Sequence, residues 1–204
     1  MLQLTIPIPP GQEGVLLPAG VIHWTEDEFF HFCQANREFR IERSAKGEIT
    51  VMSPAGGYAG FQSGRVFRQL SEWADKDGRG VAFDSSTGFL LPNGAMRAPD
   101  AAWVQLARLQ TLSRREKEQF IPLLPDFLIE VASPSDTLSS LREKMNEYRN
   151  CGLQLGWLIL PETTQVEIYT PSGVEVLSAP ETVTAEAMLP GFRLELTSIW
   201  TPPF

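Results

Sequence analysis

Residues 125–160 constrain the fold more than any other part of the sequence. The apolar run 127–132 predicts a buried strand, and the run 155–160 predicts a second one. The stretch between them predicts a helix, because apolar side chains recur there at helical spacing: Leu138, Leu141, Met145 and Tyr148. Two buried strands joined by a helix form a β-α-β unit, whose crossover should be right-handed.

The rest of the chain predicts one domain built around a sheet. Residues 1–24 are rich in proline and predict an N-terminal extended arm, and 25–204 predict a single domain. Further strands are predicted at 39–43, 48–52, 81–83, 88–91, 101–104, 165–169, 174–177 and 190–196, with helices at 25–36 and 59–77 and near 113–120. The strands 39–43 and 48–52 are predicted to form a hairpin, and Asn93-Gly94 is predicted to be a tight turn between 88–91 and 101–104. Thr25 and Glu28 match a capping box, and Ser135 or Asp136 can cap the helix that follows 127–132. Strands mixed with a few helices indicate an α/β (α+β) fold.

Composition limits where such a protein works. No apolar run approaches the roughly 20 residues of a membrane span, and the first residues lack the basic start and apolar core of a signal peptide. We therefore expect a cytoplasmic location and no membrane partner. The two cysteines and two histidines do not have the spacing of a disulfide framework or a zinc site.

The charge distribution restricts any surface that binds phosphate. The net charge of -8 is opposite to that expected of a nucleic-acid-binding protein. The segment 37–149 nevertheless holds 16 of the 17 basic residues, against 15 acidic ones. A surface that faces phosphate must therefore be built from this middle segment, and non-specific affinity for DNA should be weak.

Glu130 lies inside the first predicted buried strand, where an ionised carboxylate is costly unless it is paired. Strand alternation places its side chain on the face of Leu128 and Ala132, opposite Phe127 and Ile129. Two interpretations follow. The carboxylate reaches a sheet edge or pairs with an arginine as a structural feature, or it is a metal ligand.

Asp100 follows Pro99, which cannot donate a ladder hydrogen bond and so marks a strand start or an edge. At a strand start an aspartate is often a turn-capping residue. Combined with Glu130, however, it supplies a pair of hard oxygen ligands that suits Mg²⁺ or Mn²⁺. Asp126 precedes Glu130 by about 13 Å along an extended strand. One ion cannot bind both, so Asp126 is interpreted as a strand-start residue.

Lys144 and Glu42 are more ambiguous. Lys144 lies on the flank of its helix, about 80° from the centre of the apolar stripe. Its ammonium group can reach the strand end and stabilise charge on a phosphate; the alternative is a lysine that packs its stem along a half-exposed helix face. Glu42 shares a strand face with Arg40, and without outside support the residues favour a solvated charge beside Arg40 and Arg43.

Several of these segments occur in the order found in a known nuclease family. Arg40-Ile-Glu42 comes first, then Met52-Ser-Pro-Ala-Gly-Gly before a long helix, then Pro99-Asp100. The most specific block, 125–161, contains Pro125-Asp-Phe-Leu-Ile-Glu130-Val-Ala-Ser-Pro-Ser-Asp, Lys144-Met-Asn-Glu-Tyr148 and Trp157-Leu-Ile-Leu-Pro. From about Thr25 to Leu196 the chain resembles the Uma-two family of restriction endonucleases, within the PD-(D/E)XK nuclease superfamily.

The resemblance implies a restriction-endonuclease-like fold, a central mixed β-sheet flanked by helices. It also implies that Asp100 and Glu130 bind Mg²⁺ or Mn²⁺, that Lys144 is the catalytic lysine, and that Glu42 adds a further acid. The superfamily motif has its lysine two residues after the acid, where this chain has Ala132. The resemblance suggests that the lysine has migrated to Lys144.

The resulting hypothesis is a metal-dependent endonuclease that hydrolyses phosphodiester bonds in DNA. The main alternative is a catalytically inactive relative of the same fold that acts as a binding or assembly module, which the charge balance favours. An enzyme acting on a small phosphorylated ligand would instead have a compact pocket. We also expect a homodimer, because the arm and the apolar hairpin near 165–177 offer pairing surfaces and cutting two strands usually takes two sites.

Overall fold

The computed structural model describes residues 14–17 and 24–204. In chain order its elements are β1 (Gly14–Leu17), α1 (Glu26–Ala35), β2 (Arg40–Arg43), β3 (Ile49–Met52), α2 (Gly57–Asp77), β4 (Gly80–Asp84), β5 (Phe89–Leu90), β6 (Met96–Arg97), β7 (Ala101–Gln105), α3 (Leu106–Gln110), α4 (Arg114–Glu118), β8 (Phe127–Val131), α5 (Leu138–Asn150), β9 (Leu155–Leu160), a 3-10 turn (Pro161–Thr163), β10 (Gln165–Thr170), β11 (Gly173–Ser178), β12 (Thr182–Thr184), β13 (Arg193–Glu195) and α6 (Thr197–Trp200). The predicted arm, 1–24, lies largely outside the described residues.

A six-stranded sheet forms the centre of the molecule, in the order β11-β10-β9-β8-β7-β4. The β8–β9 pair is parallel and its neighbours are antiparallel, so the sheet is mixed. Helix α5 connects the two parallel strands, which confirms the β-α-β unit. The predicted central mixed sheet with flanking helices is therefore confirmed.

The two faces of this sheet bury different clusters, as the period-2 alternation of β8 requires. Phe127 and Ile129 pack with residues of α2 on one face. Leu128 and Leu158 pack with residues of α5 on the other face. Glu130 shares the parity of Leu128, and so its side chain lies on the α5 face, between the sheet and that helix.

A second, antiparallel sheet has the order β1-β3-β2-β6-β5 and includes the predicted β2–β3 hairpin. One expectation about it is wrong. The turn at Asn93-Gly94 was predicted to join strands 88–91 and 101–104, but it joins β5 to β6, and β7 belongs to the central sheet. A two-residue strand such as β6 is too short to show alternation in the sequence. The chain therefore crosses between the sheets at residues 97–100.

Helix ends follow local hydrogen-bonding chemistry. The predicted capping box at Thr25 and Glu28 is present at the start of α1. Helix α5 was predicted to be capped by Ser135 or Asp136, but Thr137 is the N-cap. Asp136 is engaged elsewhere, since its Oδ2 accepts hydrogen bonds from the backbone and hydroxyl of Ser133 at 2.8 and 2.7 Å.

Helix α2 is the longest in the described ranges, with 21 residues, and confirms the helix predicted at 59–77. It ends where Gly78 takes the left-handed conformation, at φ 70°, a geometry that glycine adopts at little cost. None of the helices described combines the length and the apolar character needed to cross a bilayer.

Candidate active site

Asp100 and Glu130 lie side by side because of the register between β7 and β8. Ala101 pairs with Ile129 in this antiparallel ladder. One step further along, Asp100 therefore stands opposite Glu130. Both are buried, at 8% and 3% exposure. The two carboxylates that the sequence proposed as a metal-binding pair are thus brought together at one end of the central sheet.

Lys144 extends from α5 into this cluster. Its Nζ lies 2.8 Å from Glu130 Oε1 and 2.9 Å from Glu42 Oε1. The side chain is only 15% exposed, so the alternative of a lysine on a half-exposed helix face is wrong. The ammonium group bridges a carboxylate from each of the two large sheets.

Glu42 reaches the cluster from β2 of the second sheet and is 3% exposed. A solvated charge, which the local residues favoured, is therefore wrong. Its Oε1 accepts a hydrogen bond from the backbone N–H of Ala98 at 3.1 Å, and its Oε2 accepts one from Arg97 at 3.2 Å. These bonds fix Glu42 to the segment that carries the chain from one sheet to the other.

Three side chains at the site were not predicted as functional. Arg40 donates from Nη1 to Asp100 Oδ1 at 3.1 Å and also to the carbonyl of Ala98. Tyr148 donates its hydroxyl to Glu130 Oε1 at 2.9 Å. Arg97 donates to Glu42, as described above, and also pairs through its Nε with Glu147 Oε2 at 2.6 Å.

A sequence signal exists for Tyr148 and Arg40. Tyr148 was assigned to the apolar stripe of its helix, but a buried tyrosine hydroxyl usually needs a partner. It lies four residues after Lys144, on the next turn of the same helix. Arg40 shares a strand face with Glu42, as predicted, and this placement brings a guanidinium to the buried acids.

The two glutamates that share Lys144 have pKa values shifted in opposite directions. Burial disfavours the charge of Glu42, but Lys144, Arg40 and Arg97 outweigh it and lower the pKa to about 2. Burial raises the pKa of Glu130 to about 7; Lys144 opposes this shift, and the carboxylates of Asp100 and Glu42 add to it. Glu42 is therefore a firmly ionised counter-ion, and Glu130 is a carboxylate whose ionisation is opposed mainly by burial.

Lys144 itself stays protonated. Burial would lower its pKa, but Glu130 and Glu42 outweigh this effect and raise it above the ordinary value. Burial raises the pKa of Tyr148 well above its ordinary value, and the two glutamates add to the shift. The tyrosine is thus a neutral hydrogen-bond donor at any working pH.

The donor set fits a divalent cation of the Mg²⁺ type. Mg²⁺ typically takes one or two protein carboxylates and keeps several waters, and Asp100 and Glu130 supply two adjacent ones. Among the described residues, no group of three or more His, Cys, Asp or Glu side chains is arranged to hold a metal. Further ligands would therefore be water or substrate oxygens.

Two other features agree with the interpretation of the residues. Asp126 accepts from the backbone N–H of Gln105 at 2.9 Å and pairs with Arg108 at 2.8 Å, as a strand-start residue would. A cleft of about 540 Å³ is lined by residues 90–92 and 122–126, together with Arg108, Cys151, Gly152 and Gln154. It includes none of the four candidate site residues, so it does not provide the compact pocket that a small phosphorylated ligand would need at this site.

Comparison with known proteins gives a family for the chain. A crystal structure described as that of a putative nuclease belonging to DUF820, from Anabaena variabilis, is similar with a TM-score of 0.70 and 20% sequence identity. The match covers 88% of this chain and 98% of that one. No curated protein matches the chain. The profile of the Uma2 family, described as "Putative restriction endonuclease", matches residues 26–197, and the chain belongs to that family.

Proposed function

We propose that this protein is a Mg²⁺- or Mn²⁺-dependent endonuclease that hydrolyses phosphodiester bonds in DNA. The observation that carries the proposal is the meeting of Asp100, Glu130, Lys144 and Glu42 where the two sheets join. Asp100 and Glu130 would hold the metal ion. Once bound, the ion would supply Lewis-acid polarisation of the scissile phosphate.

The side chains of the site have distinct roles in this proposal. Lys144, kept cationic by two acids, stabilises negative charge that develops on the phosphate. Glu42 holds that ammonium group in place and anchors the segment before Asp100. Asp100 is itself oriented by the backbone N–H of Val131, which donates to its Oδ2 at 2.8 Å. Each reacting group is thus fixed by at least one bond to the scaffold.

Arg40 adds a second positive group at the mouth of the site. Its side chain is 30% exposed, the most open of the site's three cationic side chains. Its Nε is buried and has no hydrogen-bond partner among the described residues. The exposed part of the Arg40 guanidinium, not this buried Nε, is suited to a phosphate oxygen, because guanidinium and phosphate match in geometry. This supports DNA phosphate as the group that enters the site.

One observation favours the alternative function, a binding or assembly module without catalysis. Each acid of the site already contacts a cationic side chain of the protein: Asp100 contacts Arg40, Glu130 contacts Lys144, and Glu42 contacts Lys144 and Arg97. Acids that have such counter-charges have less need of a metal ion. The chain's net charge of -8 points the same way.

Cleavage of supercoiled plasmid separates these functions. We expect nicked and linear DNA to accumulate with Mg²⁺ or Mn²⁺, and EDTA to stop the reaction. Calorimetric titration of the purified protein should show binding of Mn²⁺ at millimolar concentration or below, and this binding should weaken in Asp100→Asn. Absence of both cleavage and metal binding would leave the binding-module function as the better account.

The proposal extends to assembly and location. We expect a cytoplasmic protein. We also expect a homodimer, since cutting both strands of DNA usually takes two sites. Strand β11 lies at the edge of the central sheet and exposes Val174 and Val176, at 44% and 51%. Light scattering should give about twice the mass of one chain at micromolar concentration, and Val176→Lys should shift the mass towards one chain. A single-chain mass for the unmodified protein would remove the dimer.

A further inference from the structure

Glu167 is a further buried acid on the face of the central sheet that packs against α5, and it has no part in the proposed chemistry. Glu167 on β10 is 2% exposed. Its Oε1 accepts from Arg142 Nε at 2.9 Å, and a second nitrogen of the same guanidinium also contacts that oxygen. Its Oε2 accepts from the hydroxyl of Tyr169 at 2.7 Å. Burial of a carboxylate is costly unless it is paired, so this arrangement has a specific role.

Sheet register places Glu167 in line with the site. Glu130 on β8 pairs with Leu158 on β9, and Leu158 pairs with Glu167 on β10. Side chains at paired positions point to the same face of a sheet. The two glutamates therefore lie in one row on the α5 face, two strand spacings apart, or roughly 10 Å.

Helix α5 meets this row with one cation on each flank. Its buried stripe consists of Leu141, Met145 and Tyr148. At 3.6 residues per turn, Arg142 is about 100° from Leu141 on one side and Lys144 is about 60° on the other. The helix thus lies over the row of acids. Lys144 is bound to Glu130 of β8, and Arg142 is bound to Glu167 of β10.

We propose that Glu167 and Arg142 form a positioning pair that fixes the rotation of α5 about its axis and thereby the place of the Lys144 ammonium group. Ion pairs on opposite flanks oppose rotation in both directions, in addition to the packing of the buried stripe. At a radius of roughly 5–6 Å, a rotation of 10° moves a side chain by about 1 Å. That movement is enough to break the 2.8 Å contact with Glu130.

The catalytic consequence of this inference rests on the proposed nuclease function, but the positioning itself can be measured without cleavage. The chain has four lysines, Lys46, Lys76, Lys117 and Lys144. Labelling them with ¹⁵N gives few side-chain ammonium signals, and the buried, ion-paired Lys144 should be distinguishable from the others. Lys144→Met identifies its signal by deletion.

Arg142→Met is the test variant, because Arg142 is 48% exposed, so its removal opens no cavity in the core, and the hydroxyl of Tyr169 remains a partner for Glu167. We expect it to shift or broaden the Lys144 signal and leave the other lysines unchanged. Arg68→Met is the matched control, since it removes a pair with Glu72 on another helix whose side chains are 54% exposed. The control should leave the Lys144 signal unchanged. Glu167→Gln should reproduce the effect of Arg142→Met.

Cleavage supplies the second measurement. We expect Arg142→Met to lower kcat by roughly tenfold to a hundredfold with little change in KM, as a misplacement of about 1 Å can do. Arg142→Lys should restore much of the rate. In a Lys144→Met background, Arg142→Met should cause no further loss, because it acts through that lysine.

The two proposals fail separately. An unchanged Lys144 signal in both Arg142→Met and Glu167→Gln would overturn the positioning pair, whatever the activity. Full additivity of the Arg142→Met and Lys144→Met effects on kcat would also overturn it. If the unmodified protein cleaves no DNA, the nuclease function fails, and the ammonium signals still decide whether the pair positions Lys144.

Discussion

Replacement of Glu130 by glutamine should remove cleavage activity and yet make the metal-free protein more stable at pH 8. Activity should fall by about 10²–10³-fold, the loss typical of removing one charge-stabilising group. Stability should rise because burial raises the pKa of Glu130 to about 7, above its ordinary value. Ionisation in the folded state at pH 8 therefore costs free energy that the unfolded state does not pay, and the neutral amide avoids this cost.

The pH dependence of the stability difference between Glu130→Gln and the unmodified protein tests this explanation. Below the ordinary pKa of 4.5 the carboxyl group is protonated in both the folded and the unfolded state, and the cost disappears. The variant's advantage should be on the order of 1–3 kcal/mol at pH 8, should shrink as the pH falls below 7 and should vanish by about pH 4. Urea unfolding in EDTA at the two pH values measures it. Equal or lower stability of Glu130→Gln at pH 8, or undiminished cleavage, would contradict this account of the site.

Asp100→Asn is the matched comparison, because it also removes a proposed metal-binding carboxylate. Here cleavage should fall similarly, but stability should decrease. The ionised group accepts from Arg40 at 3.1 Å and from the backbone N–H of Val131 at 2.8 Å. The amide would leave the partly buried guanidinium of Arg40 without this counter-ion, which is destabilising.

Replacement of Glu42 by glutamine should have the opposite effect on stability from Glu130→Gln, although both acids contact the same ammonium group. Glu42 has a pKa of about 2, below its ordinary value of 4.5, because Lys144, Arg40 and Arg97 outweigh the effect of burial. Its ionised form therefore stabilises the fold. Loss of the charge leaves three buried cations underpaired, and we expect a loss of about 3–5 kcal/mol at pH 7.

The same linkage argument gives the pH window for Glu42. A depressed folded pKa contributes stability that is fully present above about pH 5 and is lost as the pH falls towards 2. The deficit of Glu42→Gln should therefore narrow between pH 5 and pH 3 in urea unfolding. Glu72→Gln, which breaks an exposed pair with Arg68, should cost less than about 1 kcal/mol. A deficit for Glu42→Gln no larger than that control would contradict the counter-ion role.

The local rules of the sequence were sufficient for the elements that position the site. The apolar run around Glu130 forms β8, and the segment after it with a 3.6-residue period forms α5. Such patterns are local, because an element reveals in its own residues which face it buries. The local patterns did not predict β6, because a strand of two residues is too short to show alternation. They also gave the wrong cap for α5, because Asp136 accepts a hydrogen bond from Ser133 in its own loop instead.

The partners of each charged group depend on contacts far apart in the chain. Lys144 and Glu42 are 102 residues apart, and Arg97 and Glu42 are 55 apart. No periodicity within one element reports such a pairing. This is why Glu42 could be interpreted as a solvated charge and Tyr148 as one more apolar residue of a helix stripe.

The β-α-β unit, the central sheet and the acids in or beside its strands can be read from the sequence alone. These follow from the cost of leaving apolar side chains in water and from the two periods with which strands and helices bury them. The role of Glu42 as a counter-ion, the effect of burial on Glu130 and the ion pairs on both flanks of α5 can be read only from the folded structure. Those properties arise from strand register and from the distances between buried charges, which the whole fold sets.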